Sequence, residues 1–388
     1  MIKNIYLKKL LKGTIFRVVS LINKIVPKQN NIILLYSGNE GLKHNLIPLF
    51  NYLVENNYND KYKIVCGIES IKYKGISEKN IDYVEHLQSI VVFLKAKHVF
   101  YTAGQLPIKP STEQIVIHMN HGITDYKTVG KLSHINNGDE FFFSYILAPS
   151  DIYVPIVAAE YGCNEKNVFV CSEPMVDIFY KKVIDKKNRS IFDGKKFALW
   201  LPTFRKSDLT GYSDSDLDDP LLIFKTSDYE KLNQILSDNN VLLIVKLHGA
   251  QKYSKEDIVD YANLKVWTND DMEQNQFDLY DLIMKSDCLI GDYSSVSLQY
   301  VLLNRPLAYV IPDIDIYAQK RGFVFENPRE YMPGHLIYNQ SDFYDFINDF
   351  VNNKDAFEEE RKKVKSIIHK YDDGKSCERL LALSNIRK

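Results

Sequence analysis

The segment Asp287-Cys288-Leu289-Ile290-Gly291-Asp292-Tyr293-Ser294-Ser295-Val296 runs from an apolar stretch into Gly-Asp and then two adjacent serines. That order reads as a strand, a tight turn and a helix start whose unpaired backbone N–H groups sit beside two hydroxyls. Such a helix start favours an anion, because its dipole and its free donors both attract negative charge. A Ser-Ser pair is also an ordinary helix cap. Two further segments turn the balance: Lys246-Leu247-His248-Gly249 after one expected strand, and Asn120-His121-Gly122 after another. Phosphate-compatible groups at three strand ends point to a site for a phosphorylated ligand.

Phosphoryl transfer from a nucleoside diphosphate needs donors and positive charge where the leaving phosphate develops its charge. Ser294 and Ser295 supply neutral donors, and Lys246, His248 and Arg205 supply charge, Arg205 with a two-point grip. The acceptor hydroxyl needs a base, and His121 has a suitable intrinsic pKa. Gly122 beside it lets backbone or ligand approach closely. His118 alternates with Asn120 along a strand and reads as structural. Arg205 is equally able to pair with the acidic loop that follows it, and Asp292 stands open between turn former and ligand contact. No Gly-x-Gly-x-x-Gly, Walker or His-Glu-x-x-His pattern occurs, and the Asp214-Ser215-Asp216 match lies in a turn-rich acidic loop, 207–220, expected to be exposed and mobile.

The elements that must position these residues read as alternating strands and helices. Short apolar, β-branched runs at 32–37, 63–68, 98–102, 115–119, 144–150 and 168–172 are expected strands, with helical spacing at 42–56, 84–97 and 152–161. A charged stretch at 181–196 reads as a linker. The pattern restarts with strands at 196–202, 241–247, 264–268, 287–291 and 307–311 and helices at 228–237, 279–285, 294–303 and 340–352. Such alternation implies doubly wound parallel sheets, and 388 residues suit two domains of about 190 residues each. The expected fold is α/β of the GT-B type, two facing Rossmann-like domains. Residues 29–185 are the first expected domain, 186–375 the second, and 376–388 a helix packing back toward the first. Ligands of such sheets bind beyond the carboxyl ends of strands, where His121, Thr203 with Arg205, His248 and the Ser294–Ser295 pair all fall.

The composition is that of an ordinary folded enzyme, 45% hydrophobic and 26% charged, and a formal net charge of −1 gives no sign of nucleic-acid binding. The five scattered cysteines include no C-x-x-C pair, which fits a reducing, cytoplasmic setting. Residues 1–28 are different: seven Lys or Arg side chains, no acidic one, and many interspersed Ile, Leu, Val and Phe. The apolar stretches are too short to span a bilayer and lack a signal-peptide core. On a helix the apolar and basic residues separate, as for a helix lying on an anionic membrane surface, or for one packed on its own domain.

These motifs together resemble the CDP-glycerol glycerophosphotransferase family, which includes teichoic acid primases and polymerases and related capsule enzymes. The resemblance runs from about residue 95 to 380. Its anchors are His121-Gly122, Leu201-Pro202-Thr203-Phe204-Arg205, Lys246-Leu247-His248, the 286–296 block, Asn304-Arg305-Pro306, Tyr317 with Arg321-Gly322-Phe323, Pro333-Gly334 and 372–379. It implies a GT-B enzyme peripheral to the inner membrane face, in which an acceptor hydroxyl attacks the β-phosphate of a CDP-alditol and CMP leaves. The resemblance makes 29–185 the acceptor domain, where His121 matches the base, and 186–375 the nucleotide-donor domain, where His248 is the second catalytic candidate. Asn120, Gly122, Thr203, Arg205, Lys246, Ser294, Ser295, Gln299 and Arg321 are the donor-binding candidates. No metal is implied, and the CDP-alditol is a substrate, so no cofactor is expected. The partners are that donor, a lipid-linked saccharide or polymer acceptor, and the membrane surface.

Three departures stand out. The family's His-Gly-Thr-Pro-Leu-Lys is here His121-Gly122-Ile123-Thr124-Asp125-Tyr126-Lys127. Its Gly-x-Pro-Arg is Ser172-Glu173-Pro174-Met175, and Gln299 stands where an aspartate usually follows the serine pair. The expected activity is transfer of an alditol phosphate, glycerol phosphate first and ribitol phosphate second. The alternatives are a GT-B glycosyltransferase using a nucleotide sugar, and a scaffold that keeps the fold without the chemistry.

Overall fold

Short apolar runs closed by polar turns make the strands of this chain, and both faces of each sheet are covered, so the runs are continuous rather than alternating. The computed structural model describes residues 14–120, 122, 125–133, 140–181, 190–192, 194–207, 211–217, 219–251 and 253–388. The start of the expected membrane segment (residues 1–13), His121, Ile123, Thr124 and residues 182–189 of the expected linker therefore lie outside the described residues.

The chain divides into two compact units, one of residues 1–123, 138–180 and 370–388, the other of 124–137 and 181–369. This differs from the expected boundaries in three places: 124–137 and 181–185 count with the second unit, and 370–375 with the first.

The first unit contains α1 (Ile15–Ile25), β1 (Gln29–Tyr36), α2 (Leu46–Glu55), β2 (Lys63–Gly67), β3 (Ile81–Val84), α3 (His86–Lys95), β4 (Ala96–Tyr101), β5 (Ile115–His118), β6 (Tyr145–Ala148), α4 (Tyr153–Tyr161) and β7 (Val168–Val170). Its seven strands are ordered β3-β2-β1-β4-β5-β6-β7, all parallel. Side chains of β1 point alternately to two faces: Ile33 and Leu35 join Leu46, Leu49 and Leu53 of α2, while Ile32, Leu34 and Tyr36 join Phe93 of α3. Two-sided burial of one strand is what makes the sheet doubly wound. Direction reverses between β1 and β4.

The second unit contains β8 (Lys196–Trp200), β9 (Lys206–Ser207), β10 (Tyr212–Ser213), α5 (Tyr229–Asp238), β11 (Val241–Lys246), β12 (Leu264–Trp267), α6 (Asn269–Gln274), α7 (Leu279–Lys285), β13 (Cys288–Gly291), α8 (Ser295–Tyr300), β14 (Leu307–Val310), α9 (Ile314–Lys320), β15 (His335–Ile337), α10 (Gln340–Val351) and α11 (Glu358–Ile368). Six parallel strands are ordered β12-β11-β8-β13-β14-β15, with β9 and β10 a separate antiparallel ribbon. Ala198, Trp200, Leu243, Val245 and Ile290 pack against Leu232 and Leu236 of α5 and Phe343, Phe346 and Phe350 of α10. The switch between strand directions falls between β8 and β13, where sheets of this kind bind ligands. The two sheets form the α/β architecture read from the sequence. The edge strands β3 and β15 were not among the expected ones.

The last helix, α12 (Ser376–Leu383), belongs to the first unit. The Asp177 carboxylate accepts from Ser376 N at 2.8 Å and Cys377 N at 2.9 Å, satisfying free donors of that helix start, while Leu380, Leu381 and Ile386 enter the core beside α2.

Helix α1 is inverted relative to an ordinary surface helix. Its buried residues are polar: Asn23 Nδ2 donates to Lys109 O (2.9 Å) and Gln114 Oε1 (2.7 Å), and Ser20 Oγ accepts from Lys109 N (3.0 Å). Ile15, Val18, Leu21, Ile22 and Ile25 are exposed, Ile25 to 80%. Among the described residues no helix is long and apolar enough to cross a membrane.

Candidate functional site

The carboxyl ends of β8, β11 and β13, three adjacent strands of the second sheet, gather most of the residues singled out in the sequence. Past β13 the chain turns through Gly291, where a Cβ would lie 2.3 Å from Ser297 Oγ, so only glycine lets the next helix come this close. Ser294 caps α8, its Oγ accepting from Val296 N at 3.4 Å; Ser294 and Ser295 are half-buried. Asp292, left open in the sequence, is a turn organiser: wholly buried, it accepts from Thr203 N (2.9 Å) and from Thr203 Oγ1 (2.5 Å). The Thr203 hydroxyl is thereby spent inside the protein.

Arg205, expected as a two-point phosphate grip, is engaged by partners inside the protein. Its side chain is 3% exposed and makes four hydrogen bonds within the unit. Nη1 donates to Asp292 Oδ2 (2.8 Å) and Thr203 O (2.9 Å), and Nε and Nη2 donate to the Asp313 carboxylate at 2.8 and 3.2 Å. Tyr293 stacks below it, 4.7 Å from guanidinium carbon to ring centre, and donates its hydroxyl to Asp313. Two buried carboxylates consume the cation, so it ties the turn after β13 to the start of α9. Burial raises the Asp313 carboxyl, but Arg205 outweighs it and holds the pKa below the usual value.

Arg321 is likewise buried. It pairs with Asp214 at 3.4 Å, and its Nε donates to Thr128 O at 3.2 Å. The loop expected to be exposed is in part interior: Asp214 and Ser215 are buried, and Asp214 N donates to Arg205 O at 2.7 Å. Burial lifts the Asp214 carboxyl despite Arg321 and Lys127. Gln299 is buried too, its Oε1 accepting from Tyr280 Oη at 3.0 Å.

Lys246 and His248 behave differently. Burial pushes the Lys246 ammonium down to about 8 against the pull of Asp271, and its Nζ donates only to Leu247 O, at 2.6 Å, among the hydrogen bonds of the described residues. His248 lies at the surface on the Phe204 ring, centroids 4.9 Å apart. Desolvation by its dense surroundings, with the charges of Lys127 and Lys246, pushes its pKa down to about 4, an effect tempered by contact with solvent. Its Nδ1 accepts from Ala250 N at 3.1 Å, so the neutral ring carries its proton on Nε2 and presents a donor. A small, shallow cleft is lined by Thr203, Arg205, Lys206, Leu217, Asp219, Leu222 and Gln251; it takes in none of Lys246, His248, Ser294 or Ser295.

In the first unit the chain leaves β5 through Asn120, in the left-handed region at φ 56°, and Gly122, at φ 112°. Asn120 Nδ2 donates to Tyr161 Oη at 2.7 Å. The Glu173 carboxylate accepts from Gly122 N (3.2 Å) and Asn45 Nδ2 (3.0 Å), and Asn45 also donates to Asn120 O at 3.0 Å. Both flanks of His121 are thus pinned. Sequence reasoning missed Asn45 and Glu173; the signal was a glutamate at an otherwise apolar strand end, inside one of the altered motifs. His118 is structural, stacked on Tyr101 at 4.6 Å between ring centres, with Nε2 2.7 Å from Thr102 O. Among the described residues no three His, Cys, Asp or Glu side chains gather as metal ligands.

The family model described as CDP-Glycerol:Poly(glycerophosphate) glycerophosphotransferase matches residues 18–384. The chain is 25% identical over 379 residues to the teichoic acid ribitol-phosphate polymerase TarL of Staphylococcus aureus (strain NCTC 8325 / PS 47), covering 92% of this chain and 62% of TarL. To the teichoic acid glycerol-phosphate primase of Bacillus subtilis (strain 168) it is 30% identical over 250 residues, 62% of this chain and 56% of the primase. The fold matches the structure of the wall teichoic acid polymerase TagF with a TM-score of 0.72 at 18% identity, over 98% of this chain and 95% of that one. The chain thus spans less than two thirds of the length of both TarL and the primase.

Proposed function

The chain belongs to the CDP-glycerol:poly(glycerophosphate) glycerophosphotransferase family, and on that premise we propose that it transfers an alditol phosphate from a CDP-alditol to a hydroxyl of a lipid-linked acceptor in teichoic acid synthesis. The observation that carries the reading is the pair of donors at the switch point of the second sheet, Lys246 Nζ and His248 Nε2–H, with the Ser294-capped start of α8 following β13. An alditol diphosphate linkage carries its charge on oxygens that such donors hold. His121 takes the proton of the acceptor hydroxyl. The new bond forms between that oxygen and the β-phosphorus, and the bond to the bridging oxygen breaks with its electron pair leaving on CMP. Lys246 and His248 offset the charge that builds on the departing phosphate.

The outward apolar face of α1, with exposed Arg17 and Lys24 on the same helix, supports work at the inner membrane face, where a lipid-linked acceptor is presented. Relatives act on ribitol phosphate or glycerol phosphate by name, so both donors belong in the test. Purified protein with membrane lipid extract is given CDP-glycerol, CDP-ribitol or a UDP-sugar. CMP release, with phosphate retained in a phosphodiester product, is the expected result and identifies the donor. A glycosidic product from the nucleotide sugar alone overturns the reading in favour of a glycosyltransferase.

A further inference from the structure

We infer that Lys127 is a further donor-binding residue, whose ammonium holds the diphosphate of the nucleotide donor beside Lys246 and His248. The inference rests on the reading of the second sheet as the donor site. Tyr126–Thr128 is fixed to the second unit by its backbone. Lys127 bridges Phe323 in antiparallel fashion, Thr128 N donates to Gly322 O at 3.1 Å, and Val324 N donates to Tyr126 O at 2.8 Å. The side chains on either side are spent inward: Tyr126 is fully buried and donates to Tyr331 O at 2.6 Å, and Thr128 Oγ1 donates to Arg321 O at 2.7 Å. Extended backbone turns successive side chains to opposite faces, so Lys127 leaves the opposite side of this strap.

Lys127 is half-buried, and among the described residues its ammonium has no hydrogen-bond or ion-pair partner. Phe323, which Lys127 bridges, packs its ring on Tyr293 at 5.3 Å between centroids, and Tyr293 leads directly into Ser294 at the start of α8; the Lys127 charge also acts on His248 and Asp214. Asp214 is already paired with Arg321 at 3.4 Å and does not take it up. Lys127 stands near His248, on which the Lys246 charge also acts, and among the described residues none of the three makes an ion pair with a carboxylate. Such a group is complementary to a polyanion, and at this strand end that polyanion is a nucleoside diphosphate. The Arg205 neighbourhood shows the contrasting case, where buried carboxylates consume the charge.

The test is calorimetric titration of the full-length protein, as wild type, Lys127→Met and Lys127→Arg, with CDP and with cytidine, alongside thermal unfolding. CDP carries the diphosphate of either donor. Lys127→Met is expected to keep the wild-type unfolding temperature and to bind CDP about ten- to hundredfold more weakly, cytidine unchanged, with Lys127→Arg recovering most of the loss. Wild-type CDP affinity in Lys127→Met, or an equal loss for CDP and cytidine, overturns the assignment and leaves the donor site standing. A wild type that binds CDP no better than cytidine removes the donor site, and the role of Lys127 with it.

Discussion

The strand ends of the two sheets do opposite things with charge. After β5, a buried carboxylate and neutral side chains are spent on the chain itself: Glu173, Asn45 and Asn120 fasten the backbone on both sides of His121. After β11, Lys246 and His248 are left with donors to offer, the ammonium pushed toward the neutral form by burial and the ring by its dense surroundings and the charges of Lys127 and Lys246. Within the second unit, Arg205 repeats the first pattern, being spent on Asp292 and Asp313. Positive charge in a sequence motif therefore does not identify an anion site. What identifies it is charge the fold leaves unused.

The sharpest break of the comparison is His121→Ala. Loss of the base is expected to lower turnover by about 10²–10⁴-fold, with donor affinity near wild type; near-normal turnover in the CMP-release assay removes the base assignment. Arg205→Ala should act on stability instead. Asp292 and Asp313 are left buried without their cation, at a cost of about 3–5 kcal/mol in urea unfolding. A well-folded Arg205→Ala protein with only donor affinity lost would return Arg205 to the ligand. His248→Ala or Ser295→Ala should weaken CDP binding about tenfold or more. A pH titration sharpens the picture of Lys246, which is cationic below about 8 and neutral above. Donor affinity should hold from pH 7 to 8 and then fall by up to about tenfold per unit, with bound diphosphate moving the fall to higher pH; affinity flat to pH 10 would show that Lys246 carries no part of the binding. The smallest effect is expected from Glu173→Gln, which loosens the His121 loop: turnover down a few-fold to about tenfold, CDP affinity unchanged, as read by a kcat against Kd split.

Much of this was legible because the central strands are long apolar runs, as in Val241–Lys246, and because the residues that follow them carry chemistry in fixed order. The edge strands β3 and β15 were not, since Ile81–Val84 and His335–Ile337 are short and only half-buried. The ion pairs of Arg205 were not legible because Asp313, one of its two counter-charges, lies 108 residues away along the chain, beyond any local pattern. Glu173 and Asn45, 128 residues apart, escaped for the same reason. The acidic loop reads as solvated by composition, yet Asp214 is drawn inside by Arg321, a partner 107 residues distant. Local periodicity gives elements and their ends, whereas long-range pairing decides which charges remain for a ligand.

The most direct test of that division is side-by-side titration of CDP into wild type, His121→Ala and His248→Ala. The account predicts wild-type affinity for His121→Ala and at least about tenfold weaker binding for His248→Ala. Weakened binding in His121→Ala with His248→Ala unaffected would contradict it, moving the donor diphosphate to the first sheet.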